Sequence, residues 1–304
     1  MSDSFTSSSG HAPLVSVLMP VRGCRDTLPM AVASVLAQTL EDWELLVVLD
    51  DDEGRLEWLH ALNDPRVRVM RSDSPGGRGA ARQAGLEAAR GEFLAFLDAD
   101  DWMLPDRLAR QIDVLNADPE LALVSAGMYV LDEDDRPAGV RRLPASAGTR
   151  RTAAANIVDA PVLSASSMIR MTVARRSAYD TGFISGEDAD FLVRCLRGHR
   201  YLQDTTPLYC YREFASFSIQ GLRKGLAAER RRRLKHVADP LGRAWCRGKW
   251  VGKRAVYEVA IALRGADFVL RRRCVPASSE QVATWEAGRA AVTQALVLLG
   301  GAAR

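Results

Sequence analysis

Two carboxylates one residue apart, Asp98 and Asp100, stand directly after the five apolar residues Phe93 to Leu97. If the backbone stays extended, side chains at i and i+2 point to one side. Hard carboxylate oxygens suit Mg²⁺ or Mn²⁺, which keep waters and bind through one or two carboxylates plus substrate phosphates. A metal there would neutralise a leaving diphosphate. The bland alternative is an acidic loop that caps the next helix, with Asp101 as the cap. Asp50 and Asp51 end a second apolar run, Leu45 to Leu49. A carboxylate there can accept hydrogen bonds from a nucleobase or a ribose hydroxyl; its alternative is a solvated acidic turn. In Gly79-Ala-Ala-Arg82-Gln83-Ala-Gly85 the glycines let a helix N-terminus approach an anion closely, and Arg82 could touch phosphate or base.

These residues need strand ends to bring them together. Leu14 to Met19, Leu45 to Leu49, Val67 to Met70 and Phe93 to Leu97 read as short buried strands. The segments between and after them read as helices: Thr27 to Gln38 with Thr27 as N-cap, Arg55 to Leu62, Ala80 to Arg90 and Pro105 to Ala117. Apolar strands without period-2 alternation, alternating with helices, predict a mostly parallel sheet covered on both faces. Ligands bind such sheets at the carboxyl ends of the strands. Three of the four strands end in chemistry-bearing residues: Pro20-Val21-Arg22, Asp50-Asp51 and Asp98-Ala99-Asp100. Beyond Glu120 the pattern turns mixed, with strands at Leu121 to Leu131, Val162 to Arg170 and Leu208 to Tyr211, a turn at Asp132 to Asp135, and a helix at Asp188 to Leu196. From Gly221 the chain reads as helices.

The 304 residues are 47% hydrophobic, enough for a packed core. The net charge of +3 hides an asymmetry. Residues 1–220 carry 23 Arg, no Lys and 32 acidic residues, a net of −9, whereas residues 221–275 carry 16 basic and 4 acidic residues, a net of +12. The first 12 residues are Ser-rich, lack an apolar stretch and read as a disordered tail rather than a secretory signal. Five widely spaced cysteines without a C-x-x-C pair favour reduced thiols and a cytoplasmic chain over a disulfide framework. The most apolar late stretch, Ala255 to Leu270, is interrupted by Glu258, Arg264 and Asp267, so no membrane span is expected.

Val17-Leu-Met-Pro-Val-Arg22, Glu44-Leu-Leu-Val-Val-Leu-Asp50, Arg82-Gln-Ala-Gly85 and Ala89-Arg-Gly-Glu-Phe-Leu-Ala-Phe-Leu-Asp-Ala-Asp-Asp101 resemble the ordered blocks of family 2 glycosyltransferases. The resemblance covers about residues 13–220 and is most specific at the block ending in Asp101. It implies an inverting enzyme of GT-A fold: a mixed, mostly parallel sheet flanked by helices, with residues 13–118 as the nucleotide-binding half and 119–220 as the acceptor half. Residues 221–304 would form a basic helical C-terminal region. It further implies that Asp50 contacts the base, that Asp98 belongs to the ribose or metal shell, and that Asp100 binds Mg²⁺ or Mn²⁺. Pro20, Arg22 and Arg82 join the nucleotide-sugar site, with Asp51 and Glu187 in support. The family often has Tyr-Asn where this chain has Arg22-Gly23; a guanidinium plane can also stack on a ring. It also often has Tyr-Arg-x-His where Tyr211-Arg212-Glu213-Phe214 lacks the His.

Inverting transfer needs a carboxylate that takes the acceptor hydroxyl's proton. Gly186-Glu187-Asp188-Ala-Asp190 resembles the family's acidic pair before a helix, whose second acid is the base, which points to Asp188. Helical periodicity agrees. Phe191, Leu192, Cys195 and Leu196 form an apolar stripe with Asp188 at its inward edge, while Glu187, Asp190, Arg194 and Arg197 fall on the solvent side. A plain helix cap is the alternative role for Asp188.

The expected partners are a nucleotide-diphosphate sugar, with UDP the family's commonest carrier, and a hydroxyl acceptor of saccharide, lipid-linked or small-molecule type. Cell-envelope polysaccharide, glycoconjugate or natural-product glycosylation would fit. The basic stretch 221–275, with Trp245 and Trp250, could meet an anionic membrane surface at the inner face, clamp a pyrophosphate-bearing acceptor or form a homodimer face. No nucleic-acid module is visible. Two rival classes remain open: a nucleotidyltransferase that makes sugar nucleotides, whose Gly-rich basic loop Pro20-Val-Arg-Gly23 does not supply, and a catalytically decayed nucleotide-sugar-binding protein.

Overall fold

A computed structural model describes residues 12–23, 26–50, 58–59, 62–72, 77–183 and 185–302. The tail at residues 1–11, Asp51 and most of the expected helix at 55–62 lie outside the described residues. Up to residue 118 the chain contains β1 (Val15–Val21), α1 (Leu28–Leu36), β2 (Trp43–Leu49), β3 (Val67–Arg71), α2 (Gly77–Ala88), β4 (Phe93–Phe96), β5 (Trp102–Met103) and α3 (Arg107–Ala117). There follow β6 (Leu121–Leu131), β7 (Pro137–Arg141), β8 (Arg150–Thr152), β9 (Ser167–Arg170), α4 (Met171–Ala174), α5 (Glu187–Leu196) and β10 (Arg200–Tyr211). The chain ends with α6 (Glu213–Ser216), α7 (Ile219–His236), α8 (Pro240–Arg271), β11 (Cys274–Val275) and α9 (Ser279–Ala302).

One mixed sheet runs in the order β11-β7-β6-β9-β4-β1-β2-β3, and β10 pairs with β5, β6 and β8. The β4-β1-β2-β3 section and the β6–β10 pair are parallel. The absence of alternation in β1 and β2 has a direct cause. Val15, Val17 and Met19 pack on one face with α1, whereas Leu18, Leu46 and Val48 pack on the other with Ala81, Leu86, Phe191 and Leu192 of α2 and α5. Both faces are dry, so both sets of alternate positions must be apolar. At Gly85 a Cβ would fall 2.1 Å from Leu18 Cδ1, so glycine lets α2 lie close on β1.

Several expected elements shift. The expected strand from Val162 begins only at Ser167, because Leu163 O is held by the hydroxyls of Ser125 and Ser167. The last strand begins at Arg200 rather than Leu208; its polar first half pairs with β6 and β8 and therefore shows no apolar run. The last helix also returns to the body. Trp285, Val292 and Leu299 of α9 enter the α1 core, Trp285 packs against Trp102 at 6.2 Å between ring centroids, and the Tyr129 hydroxyl donates to Gln281 O at 2.7 Å. Among the described residues Cys195, Cys210, Cys246 and Cys274 are free and buried, and no helix is long and apolar enough to cross a membrane.

Candidate active site

Register aligns the three strand ends. Val21 pairs with Leu49, so Asp50 begins one residue beyond, with its N–H donating to Val21 O at 3.0 Å. Leu18 pairs with Phe96 and Leu97 N–H donates to Leu18 O, which puts Asp98 level with Pro20. These ends open on a cleft of about 830 Å³ lined by Pro20, Arg22, Asp50, Arg78, Asp98 and Asp100 on the sheet side. Lys224, Ala228 and Arg231 of α7 line its other wall. A smaller recess continues it and carries Asp188 beside Arg78, Arg82, Asp98 and Glu187. Pro20, Arg22, Asp50, Arg82, Asp98, Asp100, Glu187 and Asp188 are thus gathered in one region.

The Asp98–Asp101 step is held from β10. Asp98 N–H donates to the Tyr209 hydroxyl at 3.1 Å, and that hydroxyl donates to Asp101 Oδ2 at 2.8 Å. Arg212 N–H donates to Asp101 Oδ1 at 2.9 Å, and Arg212 Nη1 donates to Asp100 O at 2.7 Å. Asp101 is therefore a fully buried anchor of the loop and not a helix cap, because the aromatic end of β10 reaches it first. Burial, followed by the charges of Asp100 and Asp98, pushes its carboxyl well above the usual range. Thr27 forms no side-chain cap either; its hydroxyl donates to Ala99 O at 3.0 Å and ties the start of α1 to the same step. Arg107, fully buried, donates to Phe96 O and Ser167 O, and burial brings its guanidinium down to about 10. No sequence motif marks Arg107 or Tyr209, and although Arg212 lies in the Tyr211–Phe214 stretch, nothing in that stretch points to its partners Asp100 and Asp101 more than a hundred residues earlier.

On the cleft wall, Asp50 Oδ2 is buried and makes no hydrogen bond among the described residues; Arg22, 64% exposed, approaches it at 3.6 Å. A buried acceptor of this kind is costly unless something donates to it. Asp100 is pushed up by burial and by the charge of Asp98. Two carboxylates that repel on the same side of a cleft, in the turn closed by Asp101 N–H on Asp98 O, suit a divalent cation that takes phosphate oxygens as its other ligands. Among the described residues no group of three or more His, Cys, Asp or Glu is placed to hold a metal alone.

Arg82 is 6% exposed and faces carboxylates rather than open cleft. It donates to Asp98 Oδ1 at 2.7 Å and to Glu187 Oε1. Burial opposes its charge, but Asp98, Glu187 and Asp188 outweigh that and raise its pKa. Asp188 is half-buried at the recess, and the N-cap of α5 is Gly186, so Asp188 does not cap the helix. The solvent side expected for Glu187 and Asp190 is wrong: both are buried. Arg82 covers Glu187, and Asp190 lies under the end of α7, accepting from Lys235 Nζ at 3.0 Å and meeting His236 Nε2 at 2.8 Å. Helical periodicity cannot register a cover supplied from residues 235 and 236. Arg194 and Arg197 are half-buried.

The family model "Glycosyl transferase family 2" matches residues 16–177. The Escherichia coli protein WfgD, a UDP-Glc:alpha-D-GlcNAc-diphosphoundecaprenol beta-1,3-glucosyltransferase, is 38% identical over 104 residues, which cover 34% of this chain and 41% of WfgD. The first curated relatives are likewise matched over less than two thirds of their own length, from 20 to 65%. Among solved structures, S. aureus TarS 1–349 in complex with UDP superposes with a TM-score of 0.55 at 17% identity, over 92% of this chain and 80% of that one. Mannosyltransferase PcManGT from Pyrobaculum calidifontis, in complex with GDP-Man and Mn²⁺, gives a TM-score of 0.56 at 15% identity, over 95% and 87%. At these identities the likeness to solved structures concerns the fold, a mixed and mostly parallel sheet flanked by helices with further helices at the C-terminus.

Proposed function

The chain belongs to glycosyl transferase family 2, and from that premise we propose that its cleft moves a sugar from a nucleotide-diphosphate sugar to a hydroxyl acceptor with inversion. The observation that carries this reading is the register that gathers Asp50, Asp98 and Asp100 at one cleft. Asp50 has a buried oxygen open to a donor from base or ribose. Arg22, 64% exposed at the rim, offers a plane for ring stacking. Asp98 and Asp100 are the residues that would hold Mg²⁺ or Mn²⁺, which supplies neutralisation of diphosphate charge when bound. Arg78, Lys224 and Arg231 bring positive charge to the same cleft. UDP is the first choice of carrier, in keeping with TarS and WfgD, while PcManGT is named with GDP-Man.

Asp188 acts as the base. As the acceptor oxygen bonds to the anomeric carbon, its proton passes to the Asp188 carboxylate. The bond from that carbon to the diphosphate oxygen breaks, and the nucleoside diphosphate leaves with the electron pair. Arg82 holds Asp98 and Glu187 in fixed relation, so the base helix and the donor side of the cleft share one anchor. An acceptor on the way to cell-envelope polysaccharide suits the relatives' names, which include a diphosphoundecaprenol-linked acceptor for WfgD.

The test is nucleotide release and sugar transfer from UDP- and GDP-sugars, with and without Mn²⁺, by the wild type and Asp188→Asn. Retained donor binding with lost transfer in the variant supports the assignment, and full transfer by the variant sinks it. Release of pyrophosphate from a nucleoside triphosphate and a sugar phosphate would instead favour a nucleotidyltransferase.

A further inference from the structure

Beyond the cleft, α8 carries a face that nothing in the described fold covers. Leu241, Trp245, Val256, Val259 and Leu263 are 56 to 83% exposed. With Gly248 and Gly252 they recur at i, i+4, i+7, i+11, i+15, i+18 and i+22, the spacing of one helical stripe, and span about 33 Å at 1.5 Å per residue. The stripe stops before Gly265, whose φ of 79° breaks the helix. The opposite face of α8 is the packed one: Cys246 is buried, Trp250 Nε1 donates to Leu226 O at 2.8 Å, and Lys253 pairs with Glu229 of α7. A helix already docked by one face still presents large apolar side chains on the other, where isolated exposed residues would call for no explanation but residues aligned along one stripe do.

Charge says what the row meets. Many cations of the 221–275 stretch are paired to the body or line the cleft, but α8 itself carries seven basic residues against Glu258 and Asp267, a net of +5. Lys249 is exposed at the flank of the stripe, with its Nζ 4.9 Å over the Trp245 ring, and Arg247 is exposed further round the helix. A second copy joined through the same face would bring two net-positive helices together with no acidic surface between them. An anionic bilayer satisfies both halves: apolar side chains and Trp enter the headgroup region, while lysines and arginines meet lipid phosphates.

We propose that the outer face of α8 is a docking surface for an anionic lipid membrane. The inference does not depend on the proposed transfer chemistry. It has a geometric consequence, because α7 lines the cleft with Lys224 and Arg231 while holding α8 on its other side. One helical hairpin then joins the membrane face to the cleft.

The test is co-sedimentation of the full chain with phosphatidylcholine vesicles and with phosphatidylcholine vesicles containing phosphatidylglycerol. Binding is expected to the anionic vesicles, weakened by salt. It should fall about tenfold or more in Leu241→Glu/Trp245→Glu/Leu263→Glu, whose exposed positions leave the thermal midpoint and nucleotide release unchanged. Arg247→Glu/Lys249→Glu should also weaken binding. A wild type that stays in the supernatant, or a triple variant that sediments like the wild type, overturns the proposal. So does light scattering that shows a lipid-free dimer which the triple variant splits, since that assigns the face to a second copy.

Discussion

Arg82 Nη2 donates to Asp98 Oδ1 at 2.7 Å, and the same guanidinium holds Glu187 at the start of α5. This buried cation links the carboxylate after β4 to the acidic pair that contains Asp188. Removing one partner of a buried ion pair strands the others. Arg82→Met should therefore lower unfolding free energy by about 3 to 5 kcal/mol. Arg82→Lys should lose less stability but still lose transfer, because one ammonium cannot serve both carboxylates as a fork does. Urea denaturation and donor turnover check the pair; unchanged stability in Arg82→Met contradicts the linkage.

Tyr209→Phe removes a hydroxyl that accepts from Asp98 N–H and donates to Asp101. Asp101 is fully buried, so a loss of about 1 to 3 kcal/mol is expected from the unpaired groups. Nucleotide binding should weaken as well, since the anchor of the Asp98–Asp100 step is gone. Thermal unfolding and titration with UDP separate the two effects.

The docking of α7 on α5 predicts a pH response. His236 meets Asp190 at Nε2 and Arg197 at Nδ1, with Lys235 adjacent and Arg194 also on Asp190. Burial, aided by Arg197 and Lys235, outweighs the pull of Asp190 and sets the His236 pKa below 6.5. A depressed folded value means that the contribution is complete above 6.5 and is lost as pH falls toward that lower value. Asp190, whose pKa is lowered despite burial by Lys235, His236 and Arg194, loses its own contribution only below 3.8. Stability should thus begin to fall just below pH 6.5, ahead of that carboxylate. His236→Gln should flatten this first step in denaturation curves across pH; an unaltered step would contradict it.

Much of this was legible in the sequence because it is local. Apolar runs that end in Asp50 and Asp98 mark strands buried on both faces, and their alignment follows from parallel pairing. What was not legible depends on distant cover. Glu187 and Asp190 look solvent-facing by helical spacing until Arg82 and the end of α7 close over them. Asp101 looks like a cap until Tyr209 and Arg212 arrive from β10. The basic stretch after Gly221 gives its charge away in composition, but not that Lys224 and Arg231 face the cleft while the apolar row on α8 faces outward.

Lys224 lies on the α7 wall opposite the strand ends. Lys224→Ala should raise the donor KM roughly fivefold, equivalent to about 1 kcal/mol and at the upper end for an exposed charge, with kcat little changed. A lower kcat at unchanged KM would instead assign it to the transition state alone.

The claim that the strand-end carboxylates form a nucleotide-diphosphate site is tested most directly by thermal shift of wild type and Asp100→Asn with UDP and GDP, each with Mn²⁺. Ligand that binds only the folded state raises the midpoint by mass action. The wild type should shift upward with at least one diphosphate in Mn²⁺, and Asp100→Asn should lose the Mn²⁺-dependent part. No shift with either nucleotide, or an equal shift in the variant, would contradict the account.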